Sequence, residues 1–389
     1  MTSTTMPTMS DAAWDALREP TDGAAILANV RALVPMAAAE AAQTNAQGFM
    51  TEPMREALRR AGTYRVGFSA SRGGPQVSLT QQTQMVEAFA RVDASLAWNL
   101  CILQATGFYA SRLGDLAFAE LYPDLDIPTC GSFHPRGRAD IDGDELVVSG
   151  TWMTGSGIMA SERIVAGVEV FDGGEQVMKA DGSPLVLGVW LPTDEVEILD
   201  DWHVIGLRGS GSRSYRVDGV RVPRHHSFDR YFTPQADAEP LNKVVDLPFY
   251  SMAGIPVGIA QHAVDLATAA VRRKGADDTR RLGLLGEAES LTRAARAVVY
   301  AGVGAIDDVI FRDGELPSGS TMARGDSPAA TQLARRVVDI CAELQGSALI
   351  YERNPFEQLV RDLAGVTAHA STSRSLWVSV GRTILEESA

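Results

Sequence analysis

The order of helical and strand-like segments along the chain limits its fold more than any other feature. Apolar residues recur at helical spacing over residues 24–122, and Ser95 opens an almost wholly apolar stretch. From Pro128 to about Val222, short apolar runs alternate with Asp-Gly pairs, a pattern typical of strands and turns. Helical spacing returns from Pro248. This order predicts a mainly α-helical protein with a central β-domain.

The C-terminal part is expected to hold four long helices, at 248–274, 284–312, 328–351 and 355–385. Ser327-Pro328 and Asn354-Pro355 are typical helix starts, because a capping side chain precedes a proline at the first helical position. Long helices joined by short breaks predict a four-helix bundle. We therefore expect an N-terminal α-helical domain at 11–126, a small β-barrel or sandwich at 127–235, and the bundle at 240–389.

Composition excludes several classes of function. The chain of 389 residues has a net charge of −14, which argues against nucleic acid or an anionic membrane surface as a partner. No signal peptide and no apolar run of about 18 residues are visible, so we expect a cytoplasmic protein. The three cysteines lie far apart, and His225-His226 on a strand would point to opposite faces, so we expect no bound metal.

Three segments of the predicted β-domain carry candidate binding residues. GTWMTGSG at 150–157 combines Trp152 with Ser156, and GSFHPRG at 131–137 offers Ser132. Either segment also suits a turn after a strand. In WHVIGLRGSGS at 202–212, the successive backbone N–H groups beside Arg208 suit an anion, or alternatively a tight loop between strands. No strand–turn–helix context surrounds these glycines, so a dinucleotide fingerprint is not supported.

The last predicted helix contains Arg361-Asp362 and then His369. Together with the β-domain segments and VRVP at 220–223, this pair resembles acyl-CoA dehydrogenases over nearly the whole chain. In dehydrogenases of that fold, the catalytic glutamate follows the arginine by nine residues, and that position is Ala370 here. The first bundle helix, the second known place for a base, has no Asp or Glu between Pro248 and His262. Acyl-CoA dehydrogenation is therefore not expected.

A histidine beside the vacated glutamate position is similar to the reductase-dependent flavin monooxygenases of the acyl-CoA dehydrogenase fold. A lone histidine on a helix is otherwise a surface residue or a satisfied core residue. The resemblance implies reduced FMN or FAD as cofactor, O2 as co-substrate, a separate NAD(P)H:flavin reductase and a homotetramer. It also implies that His369 faces the reactive edge of the flavin and that Ser156 donates a hydrogen bond near its N5. The implied cofactor-binding residues are Trp152, Ser156, Ser132, Arg208 and Arg273.

The resulting hypothesis is a flavin-dependent monooxygenase that hydroxylates a small aromatic or polyketide-like substrate. An apolar wall for such a substrate is available in the first bundle helix, from Phe249, Tyr250, Met252 and Ile255. Arg273, in a basic triplet at a helix end, also suits the negative end of the helix dipole. Three alternatives remain open: an N- or S-oxygenase of the same family, an acyl-CoA dehydrogenase or oxidase with an atypical base, and a flavin-free scaffold or lyase.

Overall fold

The helices of the protein lie at the two ends of the chain and flank a central sheet. The structure is a computed structural model that describes residues 14, 17–231, 239–244, 247–275, 277–312 and 319–387, so the expected domain limits at 11, 235 and 389 lie outside the described residues. The α-helices are α1 Gly23–Gln47, α2 Glu52–Arg60, α3 Leu79–Ala90, α4 Ala94–Ala110, α5 Asp115–Leu121, α6 Gly254–Lys274, α7 Thr279–Phe311, α8 Gly319–Gln345, α9 Pro355–Thr367 and α10 Leu376–Glu387.

The N-terminal helices begin at capping side chains and bury apolar residues. Asp22 caps α1, and Asp93 caps α4 by accepting from the N–H groups of Ser95 and Leu96 at 2.8 and 3.1 Å. By length and composition α1 could cross a membrane. Instead, Ile26 and other apolar residues of α1 have no exposed surface because they pack in the protein core.

The central sheet has eight strands. Their order is β6-β7-β2-β1-β3-β5-β8, with β4 paired to β3, and β1 and β3 are the parallel pair in an otherwise antiparallel sheet. The strands are β1 Thr129–Asp142, β2 Glu145–Gly155, β3 Arg163–Asp172, β4 Glu175–Gln176, β5 Val186–Leu191, β6 Glu197–Ile198, β7 Arg213–Pro223 and β8 Ser227–Asp229.

Two expectations about the sheet are wrong. Asp218-Gly219 does not form a turn, because β7 continues through it as a bulge, with φ of 68° at Gly219 and a shift in register against β2. His225 and His226 lie in the turn between β7 and β8 instead of on a strand. Both rings therefore reach the same oxygen of Glu120, at 2.8 and 2.7 Å. A metal ion would find three ligand atoms there, but direct hydrogen bonds already satisfy these groups.

The start of α8 also differs from expectation. The helix begins at Gly319 and contains Pro328, which was expected to open it. A proline inside a helix removes one backbone hydrogen bond. Here the helix continues because the following turns are held by packing, since Ala330 and Ala334 are completely buried. The start of α9 is as expected, with Asn354 as the cap before Pro355.

The segment predicted as one helix from 355 to 385 is two helices with a break between them. α9 ends at Thr367, and His369 has an extended backbone with φ of −81° and ψ of 147°. The hydroxyl of Thr372 donates to the carbonyls of Val366 and His369, so a side chain satisfies groups that a continued helix would use. His369 therefore lies in the break between α9 and α10 and not on a helix.

Candidate active site

A cavity of about 870 Å³ lies where the sheet meets α4 and the break after α9. One side of the cavity is formed by β1, β2 and the loop before β7, and the other by the end of α9 and the break. Aromatic rings form much of its wall, among them Trp98, Phe133, Trp202 and Phe249. We call it the main cavity.

His369 lines the main cavity and has a defined hydrogen-bonding state. Its Nδ1 accepts from the backbone N–H of Ser371 at 3.2 Å, so in the neutral ring Nε2 carries the proton. The ring meets Trp98 edge to face at 4.9 Å. Burial lowers the pKa of His369 below its ordinary 6.5. The ring is therefore neutral at pH 7, and its Nε2 is a hydrogen-bond donor.

A row of hydroxyl groups forms the polar edge of the main cavity. Trp98 Nε1 donates to Ser156 Oγ at 3.0 Å, and Ser156 is linked through Ser212 to Ser210 by two contacts of 2.7 Å. Three hydroxyls have three protons, and the two links use two of them. One proton remains, and the directions of the two links decide which hydroxyl carries it. When the row is oriented from Ser210 to Ser156, the Ser156 hydroxyl is left free to donate into the cavity.

Ser132 lines the same cavity, whereas Trp152 does not. The Ser132 N–H donates to Tyr215 Oη at 2.9 Å, which fixes the strand edge. Trp152 has no exposed surface, donates from Nε1 to Gly167 O at 2.8 Å, and stacks on Tyr215 at 5.3 Å. A side chain without exposed surface cannot touch a bound molecule, so the expected contact of Trp152 with a flavin is corrected. Trp152 supports β2, the strand that precedes Ser156.

The Arg361-Asp362 pair joins α9 to the loop before β7. The backbone N–H of Leu207 donates to Asp362 Oδ1 at 2.7 Å, and Leu207 has a left-handed φ of 55°. At Gly206 a Cβ atom would overlap the backbone carbonyl of Arg361. Burial raises the pKa of Asp362 to about 6. The pair therefore positions one wall of the main cavity.

Arg208 and Arg273 are not brought to the main cavity. Arg208 is exposed, and its Nε donates to Val204 O at 3.0 Å just outside the wall. Arg273 is exposed in the last turn of α6. Neither contacts Ser132, Ser156 or His369, so their expected role toward a cofactor phosphate stays a prediction.

Several cavity residues were not found from the sequence. Trp98, Trp202 and Arg230 line the main cavity. Trp98 lies in an apolar helix, where a tryptophan is usually a core residue, and Trp202 opens the 202–212 segment but was given no role of its own. Of the expected apolar wall, Phe249 does line the cavity, but Met252 and Ile255 have no exposed surface.

No carboxylate lines the main cavity within the described part of the chain. Ala370 and Ser371 occupy the lining beside His369, where the dehydrogenases of this fold were expected to carry a glutamate. Abstraction of an α-proton from a thioester needs a base that can accept a proton. His369 is poorly suited to that task because its Nδ1 lone pair is engaged by Ser371.

The main cavity fits a flavin ring system in size and in chemistry. Its volume of about 870 Å³ lies within the usual range for cofactor and ligand sites. A flavin needs aromatic or apolar packing for its faces and hydrogen-bond donors at its N5 and O4 edge. Phe133 and Trp202 supply aromatic surface, and the spare proton of the Ser156 row supplies a donor. Ser132, Ser156 and His369 would hold the ring.

Comparison with known proteins shows the same fold. The acyl-CoA dehydrogenase C-terminal domain family matches residues 250–374. The crystal structure of the HsaA monooxygenase from Mycobacterium tuberculosis superposes with a TM-score of 0.85 at 22% identity, covering 94% of this chain and 99% of that one. XiaF from Streptomyces, solved with FADH2 and glycerol, superposes with a TM-score of 0.84 at 20% identity, covering 94% and 96%.

Sequence relatives are flavin-dependent oxygenases. The indole-3-acetate monooxygenase of Acinetobacter baumannii is 25% identical over 337 residues, covering 83% of this chain and 84% of the relative. The flavin-dependent monooxygenase oxygenase subunit HsaA of Mycobacterium tuberculosis is 25% identical over 374 residues, covering 90% and 92%.

Fold and site together define a mainly α-helical protein with a central sheet and the acyl-CoA dehydrogenase fold. The resemblance found from the sequence is confirmed: the chain is a relative of the two-component flavin monooxygenases of that fold. Its predicted class, an oxidoreductase that uses reduced flavin for monooxygenation, is confirmed with it.

Proposed function

We propose that the chain is the oxygenase component that uses O2 and reduced FMN or FAD to hydroxylate a small aromatic substrate. One observation carries the proposal: the main cavity pairs a neutral His369 with the Ser156 hydroxyl row and has no carboxylate among its described lining residues. The relatives named for indole-3-acetate support an aromatic substrate. Aromatic walls at Phe133, Trp202 and Phe249 offer suitable packing for such a ring.

In the proposed reaction one oxygen atom of O2 enters the substrate and the other leaves as water, with two electrons supplied by reduced flavin. The chain itself supplies surroundings for this chemistry. Aromatic side chains exclude water from the main cavity, which strengthens every hydrogen bond within it. With the row oriented toward it, the Ser156 hydroxyl would donate a hydrogen bond at the flavin edge. His369 Nε2 donates a hydrogen bond toward the reacting oxygen or toward the substrate, and Ser371 keeps the ring in that tautomer.

The proposal includes partners and assembly. An NAD(P)H:flavin reductase on a separate chain supplies the reduced flavin, as the name "oxygenase subunit" of the relative suggests. We further propose a cytoplasmic homotetramer, with no nucleic acid, membrane or metal as partner. Its sheet closes as a small barrel or sandwich, and its C-terminal helices form a four-helix bundle. Domain limits at 11–126, 127–235 and 240–389 belong to the same proposal.

The test is anaerobic titration of the protein with FMN and FAD in both redox states, followed by mixing with oxygen. Reduced flavin should bind more tightly than oxidised flavin, because it arrives reduced and leaves after each turnover. Indole-3-acetate is the first substrate to add, and hydroxylated product and hydrogen peroxide should both be measured. Ser156→Ala should release more hydrogen peroxide and less product, since its donor at the flavin edge is lost.

The matched control is Ser149→Ala, because Ser149 lies in β2, the strand that precedes Ser156, and its hydroxyl bonds to Asp218 and Gly219 at an exposed position. It should leave product yield unchanged. Equal affinity for oxidised and reduced flavin would count against the proposal. Turnover of an acyl-CoA with an artificial electron acceptor would contradict the proposal and would show dehydrogenase activity instead.

A further inference from the structure

A second, smaller chamber of about 210 Å³ adjoins the main cavity. Phe249, Ala370 and Ser371 line both spaces, so the break after α9 lies between them. The far walls are mostly apolar and come from α7, α8 and α10. We call this space the side chamber.

One carboxylate in the side chamber lacks a partner. Asp326, on α8, has no hydrogen bond and no ion pair to any described residue, although it is only partly exposed. Its Oδ2 lies against Gly302 of α7, where a Cβ atom would overlap the oxygen. The neighbouring Ser327 hydroxyl is buried and also unsatisfied among the described residues. Polar groups of two adjacent residues therefore lie at an apolar space without protein partners.

Arg324 of the same helix does not neutralise this carboxylate. Residues two positions apart on a helix point in different directions. Arg324 Nε instead donates to Tyr250 Oη at 3.3 Å across the chamber. Burial raises the pKa of Asp326 to about 6, with no compensating interaction. A carboxylate held in this way destabilises the folded protein unless something binds to it.

We propose that Asp326 accepts a hydrogen bond from a hydroxyl or N–H group of the aromatic substrate, whose ring then extends past Ala370 toward the main cavity. This inference rests on the proposed function. It assigns the polar end of the substrate to Asp326, with Ser327 as a second partner, and the apolar ring to the walls between Phe249 and Leu376. Substrates with a donor on the ring are thereby selected over isosteres that lack one.

The test uses two ligands of the same shape, indole and benzofuran, which differ in having N–H or O in the ring. Binding of each to the full-length chain is measured by calorimetry, so no flavin turnover is needed. The chain should bind indole about tenfold or more tightly than benzofuran, since an unsatisfied buried acceptor is costly. Asp326→Leu should remove this preference, and Asp326→Asn should reduce it. Asp339→Asn, on an exposed position of the same helix, is the control and should change nothing.

A second variant keeps the negative charge of Asp326 but displaces its carboxylate. Gly302→Ala places a methyl group where Asp326 Oδ2 lies, so it should weaken indole binding and leave benzofuran binding nearly unchanged. Equal binding of both ligands to the unchanged chain would overturn the proposal, as would absence of binding or a preference that persists in Asp326→Leu. None of these results bears on whether reduced flavin binds. The proposed function fails separately, if the flavin titration fails.

Discussion

At the residue scale, His369 is defined by its neighbours more than by its position in the sequence. The Ser371 N–H occupies Nδ1, which leaves Nε2 as a donor. Of the two roles open to this histidine, hydrogen-bond donor and proton acceptor, the geometry favours the donor. To act as a base through Nε2, the ring would have to break its bond with Ser371 and exchange tautomers.

The first prediction is that His369→Ala folds normally but loses turnover by about 10²–10³-fold, the range for removal of one preorganised hydrogen-bond donor at a reacting oxygen. The side chain is only partly buried and caps a short turn, so its loss should cost little stability. Stopped-flow absorbance with product assays measures turnover, and thermal melting checks the fold. Turnover equal to that of the unchanged chain would remove His369 from the mechanism.

The second prediction concerns the acid side of the rate profile. Burial lowers the pKa of His369, so the neutral ring persists to a pH below 6.5. If the neutral donor is the active form, the rate rises with pH through that lowered pKa and is level around pH 7. Single-turnover rates between pH 5 and 8 should show this rise in the unchanged chain and no rise attributable to this group in His369→Ala. If the unchanged chain and His369→Ala show the same fall in rate at low pH, that fall comes from another residue.

Sequence patterns predicted some site residues and missed others for clear physical reasons. His369, Ser156 and Ser132, which were chosen through the family resemblance, all line the main cavity. The burial of Trp152 was not predicted, because a strand pattern does not show which aromatic side chain its neighbours cover. Asp326 has no local signal at all, because its isolation depends on α7 packing against α8.

At the scale of elements, the start of α4 and the side of α9 bring two carboxylates near each other. Burial raises the pKa of Asp93 to about 7 and that of Asp362 to about 6, and the negative charge of Asp362 also raises the pKa of Asp93. Both groups hold structure: Asp93 caps α4, and Asp362 holds Leu207. Two raised acids mean that folding takes up protons at neutral pH.

The third prediction follows from the raised pKa of Asp93 in the folded protein. In the unfolded chain Asp93 ionises near 3.8, so its cost to stability is absent below about pH 4, grows as pH rises, and is complete above about pH 7. Asp93→Asn keeps a good helix cap and removes the charge. It should therefore raise the melting temperature at pH 8 and have little effect at pH 4. A lower melting temperature at both pH values would contradict the prediction.

Most helices and strands were predictable because their periodicity is strong, and the failures share a cause. The break at His369 and the continuation of α8 through Pro328 both depend on competition between local and tertiary hydrogen bonding and packing. Apolar spacing over residues 355–385 is compatible with one helix. The bonds of Thr372 to two carbonyls, together with the Ser371 N–H bond to His369, hold the break that interrupts it. The bulge at Gly219 likewise depends on its partner strand.

At the scale of the whole molecule, apolar side chains remain on the surface of the C-terminal helix. Val378, Ile384 and Leu385 of α10 are 57%, 49% and 73% exposed, and Ile350 before α9 is 78% exposed. Exposed apolar residues that repeat along one helix, as Val378 and Leu385 do, are typical of association surfaces. They support the proposed homotetramer, since symmetric copies could cover these helices.

The fourth prediction is that the chain is a tetramer at micromolar concentration. Size-exclusion chromatography with light scattering measures its mass in solution. Leu385→Glu should lower the measured mass, because a charge would be placed in the proposed contact between copies. Glu386→Gln, a neighbouring change that removes a charge from the same helix, is the control and should keep the tetramer. A monomer in the unchanged chain would disprove this arrangement.

Ala370 lines both the main cavity and the side chamber. Its small size has a consequence for how the protein could be altered. A bulky side chain at this one position, directed into the side chamber, would separate the two spaces, and Ser132 and Ser156 on the opposite side of the main cavity would be unchanged. Such a variant would still consume reduced flavin and oxygen, yet its organic substrate would be shut out. One substitution at Ala370 would therefore turn a selective hydroxylase into an oxidase that consumes reduced flavin without hydroxylating a substrate. The small side chain of Ala370 is what keeps oxygen consumption coupled to hydroxylation.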